Sequence, residues 1–210
     1  MKHKFNILVV AINTRDSERE PLDEAVHYIQ KQHEVAKHRD IIEVKPLFAT
    51  TVNDIRGALL DDDNPVSMLI FMGKGTETGQ FAFASETNTQ HCVTPEALAG
   101  LISIFPSVKC VLMLADYGKK QLEAMHNAGI EFVAGTNEII SAKSIYEYAG
   151  AFVQAIAAGE TLERAKRLAE NAPMFANENT KFTALCCNQD IEQKPNYLQY
   201  IISQLKNEAK

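Results

Sequence analysis

VSMLIFMGKGT, residues 66–76, is an apolar run interrupted only by Ser67 and closed by two glycines around Lys74. A continuous apolar run of this length, bounded by glycine, predicts a strand buried on both faces. The same pattern recurs on either side of it. FNILVVAI (5–12) lies upstream, and VKCVLMLA (108–115) lies downstream, closing on Asp116-Tyr117-Gly118-Lys119-Lys120. IIEVKPLF (41–48) reads as a further strand, and its Pro46 predicts an edge position because proline cannot donate to a ladder. A strand near residues 130–134 and a last one at KFTALCC (181–187) complete the set.

Helical patterns separate these strands. Residues 21–38 carry Leu22, Ala25, Val26, Ile29 and Ala36 at helical spacing, with Pro21 at the start and Asp23 and Glu24 in the first turn. Thr51, with Asp54 three residues on, and Thr94, followed by Pro95 and Glu96, are N-cap signals. A helix ends near His126, and two more span 141–158 and 161–172, separated by a stop at Gly159. GQFAFAS (79–85) alternates and predicts a small hairpin arm. From Pro195 an amphipathic tail helix carries Tyr197, Leu198, Ile201, Ile202 and Leu205 on one side. Alternating strands and helices predict an α/β fold, a mostly parallel sheet covered on both faces. In such sheets chemistry sits beyond the carboxyl ends of the strands. Those exits are Asn13–Asp16, Gly73–Thr76, Asp116–Lys119 and Gly135–Asn137.

Composition narrows the function classes. The 210 residues are 46% hydrophobic and 23% charged, which excludes wholesale disorder. Twenty-one basic against 27 acidic residues leave a net charge of −6, so nucleic-acid partners are not expected. No apolar run approaches roughly 18 residues, so no membrane span is expected and the cytoplasm is the expected location. Cys92, Cys110, Cys186 and Cys187 match neither a disulfide framework nor zinc spacing, and no metal or cofactor is expected. Cys110 reads as a core residue, and Cys92 beside His91 points away from it in an extended chain. His27, His33, His38, His91 and His126 all lie away from the strand exits. Asp61 to Pro65 is an acidic loop without calcium-site spacing, hence a solvated connection. Gly73-Lys74-Gly75-Thr76 is not a phosphate loop, because Met68 stands where that loop needs glycine and Gly75 where it needs Ser or Thr. A dinucleotide fingerprint is absent after the first strand. A phosphoacceptor reading is weak too, because Asp16 is accompanied by Arg15 rather than a second acid.

The exits together resemble the CHAT domain, a caspase-like peptidase family of bacteria. The resemblance runs from Ile7 to Cys187 through ILVVAINTRD, PLDEAV, LIFMGKG, TPEALAGL, VKCVLMLADYG and FVAGTNEIISAKSIYEYAGAFVQAIAAGETLERA. It implies a caspase-like three-layer αβα sandwich over residues 1–189, with 190–210 as a C-terminal amphipathic tail. In active members the third strand exit reads roughly His-Phe-x-Gly-His-Gly and the fourth Asn-x-Cys-Tyr-Ser, giving a general base and an acyl nucleophile. Adjacent strands lie about 4.8 Å apart, so such exits bring the two groups together. Here the base position falls on Lys74 and the nucleophile position on Asp116. A charged lysine is no base and a carboxylate is a poor nucleophile toward amides. The two read either as a salt bridge in place of the dyad or as two solvated loop charges.

The resemblance therefore implies a catalytically inactive pseudo-protease, a regulatory or scaffolding subunit in a bacterial defence or cell-death system. Its expected partners are an active protease, a nucleotide-sensing protein or a repeat protein. Caspase-type folds also tend to pair through a sheet edge, which adds a homodimer. The expected binding cleft comprises Asn13, Arg15, Asp16, Lys74, Thr76, Asp116, Tyr117, Lys119 and Asn137. Two enzyme readings stay open beside this one. One is a rebuilt site around Lys74 and Asp116 that takes a phosphorylated or nucleotide-like ligand. The other is a cysteine peptidase using another thiol, Cys92. The tail helix packs on its own domain or docks a partner.

Overall fold

The computed structural model of the chain describes residues 4–12, 16–48, 50–73, 75–84, 90–116, 118–136, 138–187 and 189–208, with backbone alone at 16–22, 90, 189 and 206–208. Six strands form the main sheet: β1 (Phe5–Ile12), β2 (Ile42–Leu47), β3 (Val66–Gly73), β6 (Cys110–Ala115), β7 (Phe132–Thr136) and β8 (Phe182–Cys186). Their spatial order is β2-β1-β3-β6-β7-β8, parallel except for β8, which runs antiparallel to β7. Pro46 lies on the edge strand β2, opposite Val9 of β1. β4 (Phe81–Ala84) and β5 (Gln90–Val93) form a separate antiparallel hairpin.

Side-chain alternation along each central strand divides the core in two. Phe5, Ile7, Val9 and Ala11 of β1 face one side, with Met68, Ile70 and Met72 of β3 and Cys110, Leu112 and Leu114 of β6. That side is covered by α1 (Asp16–Glu34), α5 (Ala142–Ala158) and α8 (Tyr197–Glu208), with α6 (Leu162–Phe175) packed mainly against α5. A four-residue helix, α7 (Gln189–Glu192), precedes the tail. The opposite residues, such as Leu8, Leu69, Phe71, Val111 and Met113, face α2 (Val52–Leu59), α3 (Pro95–Ile102), α4 (Lys119–Asn127) and the hairpin. This is a three-layer α/β sandwich around a mostly parallel sheet.

Three differences from the sequence reading have local causes. α1 begins at Asp16 rather than Pro21. Pro21 thus falls in the second turn of α1, where it supplies no backbone N–H to the helix ladder. α6 likewise runs past Pro173 to Phe175, and the Pro173 carbonyl then accepts the Ala176 and Glu178 amides. The arm at residues 79–85 is half of a hairpin whose second strand, β5, had no alternation long enough to read. Phe81 and Phe83 are buried and Phe81 stacks on Phe71 at 5.8 Å, so the hairpin is part of the core. The tail helix buries Tyr197, Leu198, Ile201, Ile202 and Leu205 in the core beside Phe5. Among the described residues no helix is long and apolar enough to cross a membrane.

Candidate functional site

β1, β3, β6 and β7 are consecutive parallel neighbours, so their carboxyl ends open on one rim. Two glycines let these ends crowd together. At Gly73, with φ +146°, a Cβ would lie 2.3 Å from the Ile12 carbonyl oxygen, and at Gly75 one would lie 2.1 Å from that of Asp116. The β3 exit is thus pressed between the ends of β1 and β6.

Asp116, half-buried at the end of β6, is the anchor of this rim. Its Oδ1 accepts the Ile140 amide at 2.8 Å, which fastens the loop between β7 and α5 across the β6 exit. The next ties belong to β7. The Thr136 hydroxyl donates to the Lys181 carbonyl at 3.0 Å and accepts the Glu138 amide at 3.1 Å. At the start of α5 the Ser141 hydroxyl, its N-cap, donates to Glu178 at 2.8 Å, and the buried Ser144 meets Thr180 at 2.9 Å. On the other flank the first turn of α4 holds the segment after β3. Lys120 Nζ donates to the Thr78 carbonyl at 3.2 Å, and the buried Gln121 amide donates to that of Gly79.

Of the expected cleft residues, Asn13, Arg15, Lys74, Tyr117 and Asn137 lie outside the described residues, as does the Asp16 side chain. Thr76 is engaged within its own turn. Its hydroxyl accepts the Gln80 amide at 3.0 Å and meets Thr78 at 2.8 Å. Lys119 reaches Glu123, one turn on, at 3.9 Å. Asp116 is therefore the expected site residue with a resolved tertiary role, while Gln121, Ile140 and Glu178 are new to the site. Sequence offered no signal for them, because each meets a partner 24 to 42 residues away.

The thiols lie elsewhere. Cys110 is buried within β6, and burial pushes its thiol well up. Cys92 is exposed on the hairpin, with His91 as its strand neighbour. Cys187 Sγ stands 3.6 Å from His126 Nδ1 and donates to the Ile130 carbonyl at 3.1 Å. This thiol–imidazole pair lies at the amino end of β7, across the sheet from the rim, because Cys186 pairs with Phe132. Burial and then the Glu131 carboxylate push the Cys187 thiol up, the reverse of an activated nucleophile.

No protein-family model matches the sequence, and no curated protein matches it. Among solved structures the chain is similar to a secreted C11 cysteine protease from Bacteroides thetaiotaomicron, crystallised with an irreversible peptide inhibitor. The TM-score is 0.62 at 12% identity, and the match covers 83% of this chain and 60% of that one. The match thus spans less than two thirds of that protease. At this identity the likeness establishes the caspase-like fold alone.

Proposed function

We propose that this chain is a caspase-like domain of the CHAT type that lacks thiol catalysis and serves as a protein-binding regulatory or scaffolding subunit. The proposed setting is a bacterial cytoplasm and a defence or cell-death system. The Asp116 carboxylate carries this reading. It stands at the β6 exit, the position to which the resemblance to CHAT domains assigns the nucleophile, and it is engaged by the Ile140 amide. An acceptor committed to a backbone N–H is a weak nucleophile, and an amide substrate would have to displace that bond. The rebuilt-site reading has less support, since Lys119 and Lys120 are turned to Glu123 and the Thr78 carbonyl.

The test has two halves. The protein is incubated with fluorogenic peptide pools and with an irreversible thiol-directed peptide inhibitor, and adducts are sought by intact mass. Hydrolysis no faster than the protein-free control, without an adduct, is expected. Hydrolysis abolished by one stoichiometric cysteine adduct would make the chain a peptidase. In parallel, tagged wild type and a Lys74→Ala/Asp116→Ala variant are purified gently from the native host. A stoichiometric partner lost only in the variant puts recognition in the cleft, and bare protein in both purifications counts against a scaffold.

A further inference from the structure

A hollow of about 230 Å³ opens near the amino ends of β1, β2 and β3, at the end of the sheet away from the strand exits. Asn6 and Leu8 of β1 line it beside their register partners on β2, Glu43 and Lys45. Ala58 of α2, with Asp61 and Asn64 of the following loop, lines it from the other side. Asn6 is 8% exposed, and its Nδ2 donates to the Pro65 carbonyl at 3.0 Å. That bond fixes the amide's orientation, because the reversed amide would set two oxygens together. Pro65 leads into β3, so Nδ2 faces the β3 side, and Oδ1, on the other arm of the amide, faces the β2 side and the hollow. This Oδ1 is buried and accepts no hydrogen bond. A buried acceptor without a donor is costly, and an N–H placed in the hollow removes that cost.

The charges around it define what carries the N–H. Asp61 is half-buried and held in place by Asn64, whose backbone amide donates to Oδ1 at 3.2 Å and whose Nδ2 donates to Oδ2 at 3.3 Å. Glu43, opposite Asn6, accepts Lys4 at 3.1 Å on Oε2. Lys45 brings a positive charge to the same hollow. We propose that this hollow binds a free α-amino acid. The ammonium group donates its three N–H bonds to Asn6 Oδ1, Asp61 and Glu43, and the carboxylate meets Lys45. Pockets for drug-sized ligands run to about 300–1,000 Å³, so this volume suits a smaller metabolite. Lys45 repels a polyamine and the two acids repel a phosphate, which leaves the zwitterion. Among the described residues no group of three His, Cys, Asp or Glu could hold a metal ion here. The proposal is independent of the pseudo-protease reading, because the hollow shares no residue with the strand exits.

Thermal unfolding of the full chain is followed with each standard L-amino acid at about 10 mM, and calorimetric titration gives the affinity of any that raises Tm. At least one is expected to raise Tm and to bind one to one. Its N-acetyl and carboxamide derivatives should bind at least about tenfold more weakly, since each removes one of the two charges. The free amino acid should lose at least about tenfold in affinity to Lys45→Gln and to Asp61→Asn, with unchanged circular dichroism. Lys31→Gln, exposed on α1 across the sheet, should bind as the wild type does. A chain that no amino acid stabilises and that gives no heat with any of them would overturn the proposal. So would binding that survives both hollow substitutions, blocked derivatives that bind as well as the free amino acid, or an equal affinity for putrescine, which has no carboxylate.

Discussion

Asp116 ties the β6 exit to the loop that follows β7: its Oδ1 accepts the Ile140 amide, 24 residues on. Asp116→Ala should leave that amide unsatisfied at a cost of about 1–3 kcal/mol. Urea denaturation would read the loss, and hydrogen exchange would read faster opening at residues 138–141. Gly75 is the counterpart on β3. Gly75→Ala forces a methyl group against the Asp116 carbonyl, 2.1 Å away, and backbone cannot yield as a flexible side chain can. A loss of about 1–3 kcal/mol is expected in the same titration. Cys187 gives a pH-dependent outcome. Its thiol is raised in the folded protein, so the native state keeps the proton longer than the unfolded chain does. The sign follows: stability falls as pH rises from the ordinary thiol range toward the raised value. Iodoacetamide at pH 8 should therefore modify Cys187 more slowly in the folded protein than in urea, as quantified by peptide mass spectrometry.

At the scale of elements, caps were the most legible feature. Thr51 accepts the Asp54 amide at 3.2 Å while Asp54 accepts the Thr51 amide at 2.8 Å, closing a capping box on an eight-residue helix. A helix this short has few internal bonds, so Thr51→Ala should cost about 1 kcal/mol, visible as a lowered Tm. Thr94 and Thr161 cap α3 and α6 through their hydroxyls, which accept the Ala97 and Arg164 amides, and Gly159 ends α5 at φ +90°. Each of these signals lies within three residues of its effect, which is why sequence shows it. Pro21 is not the boundary its position suggests, since α1 runs through it, and α6 likewise contains Pro173. β5 had no such signal, because a four-residue strand is too short for alternation to stand out.

For the whole molecule, the tail is the test of unity. α8 places five apolar side chains in the core, each worth roughly 1.5–3 kcal/mol when buried, against a typical domain stability of about 5–15 kcal/mol. A chain ending at residue 194 should be insoluble or lack a cooperative melt in circular dichroism. A truncated protein that melts cooperatively would show that α8 is dispensable. Apolar runs, caps and turn residues were enough for the six strands of the main sheet, the principal helices, the edge place of β2 and the strand exits where chemistry would sit. These depend on period and on neighbours a few residues apart. Only the packed chain decided that Asp116 engages Ile140, that Gln121 holds Gly79, and that Cys187 meets His126 away from the rim. It likewise gathered Asn6, Glu43 and Asp61 around one hollow. Those meetings join groups far apart along the chain. Sheet order and loop path bring them together, and neither leaves a mark in local sequence.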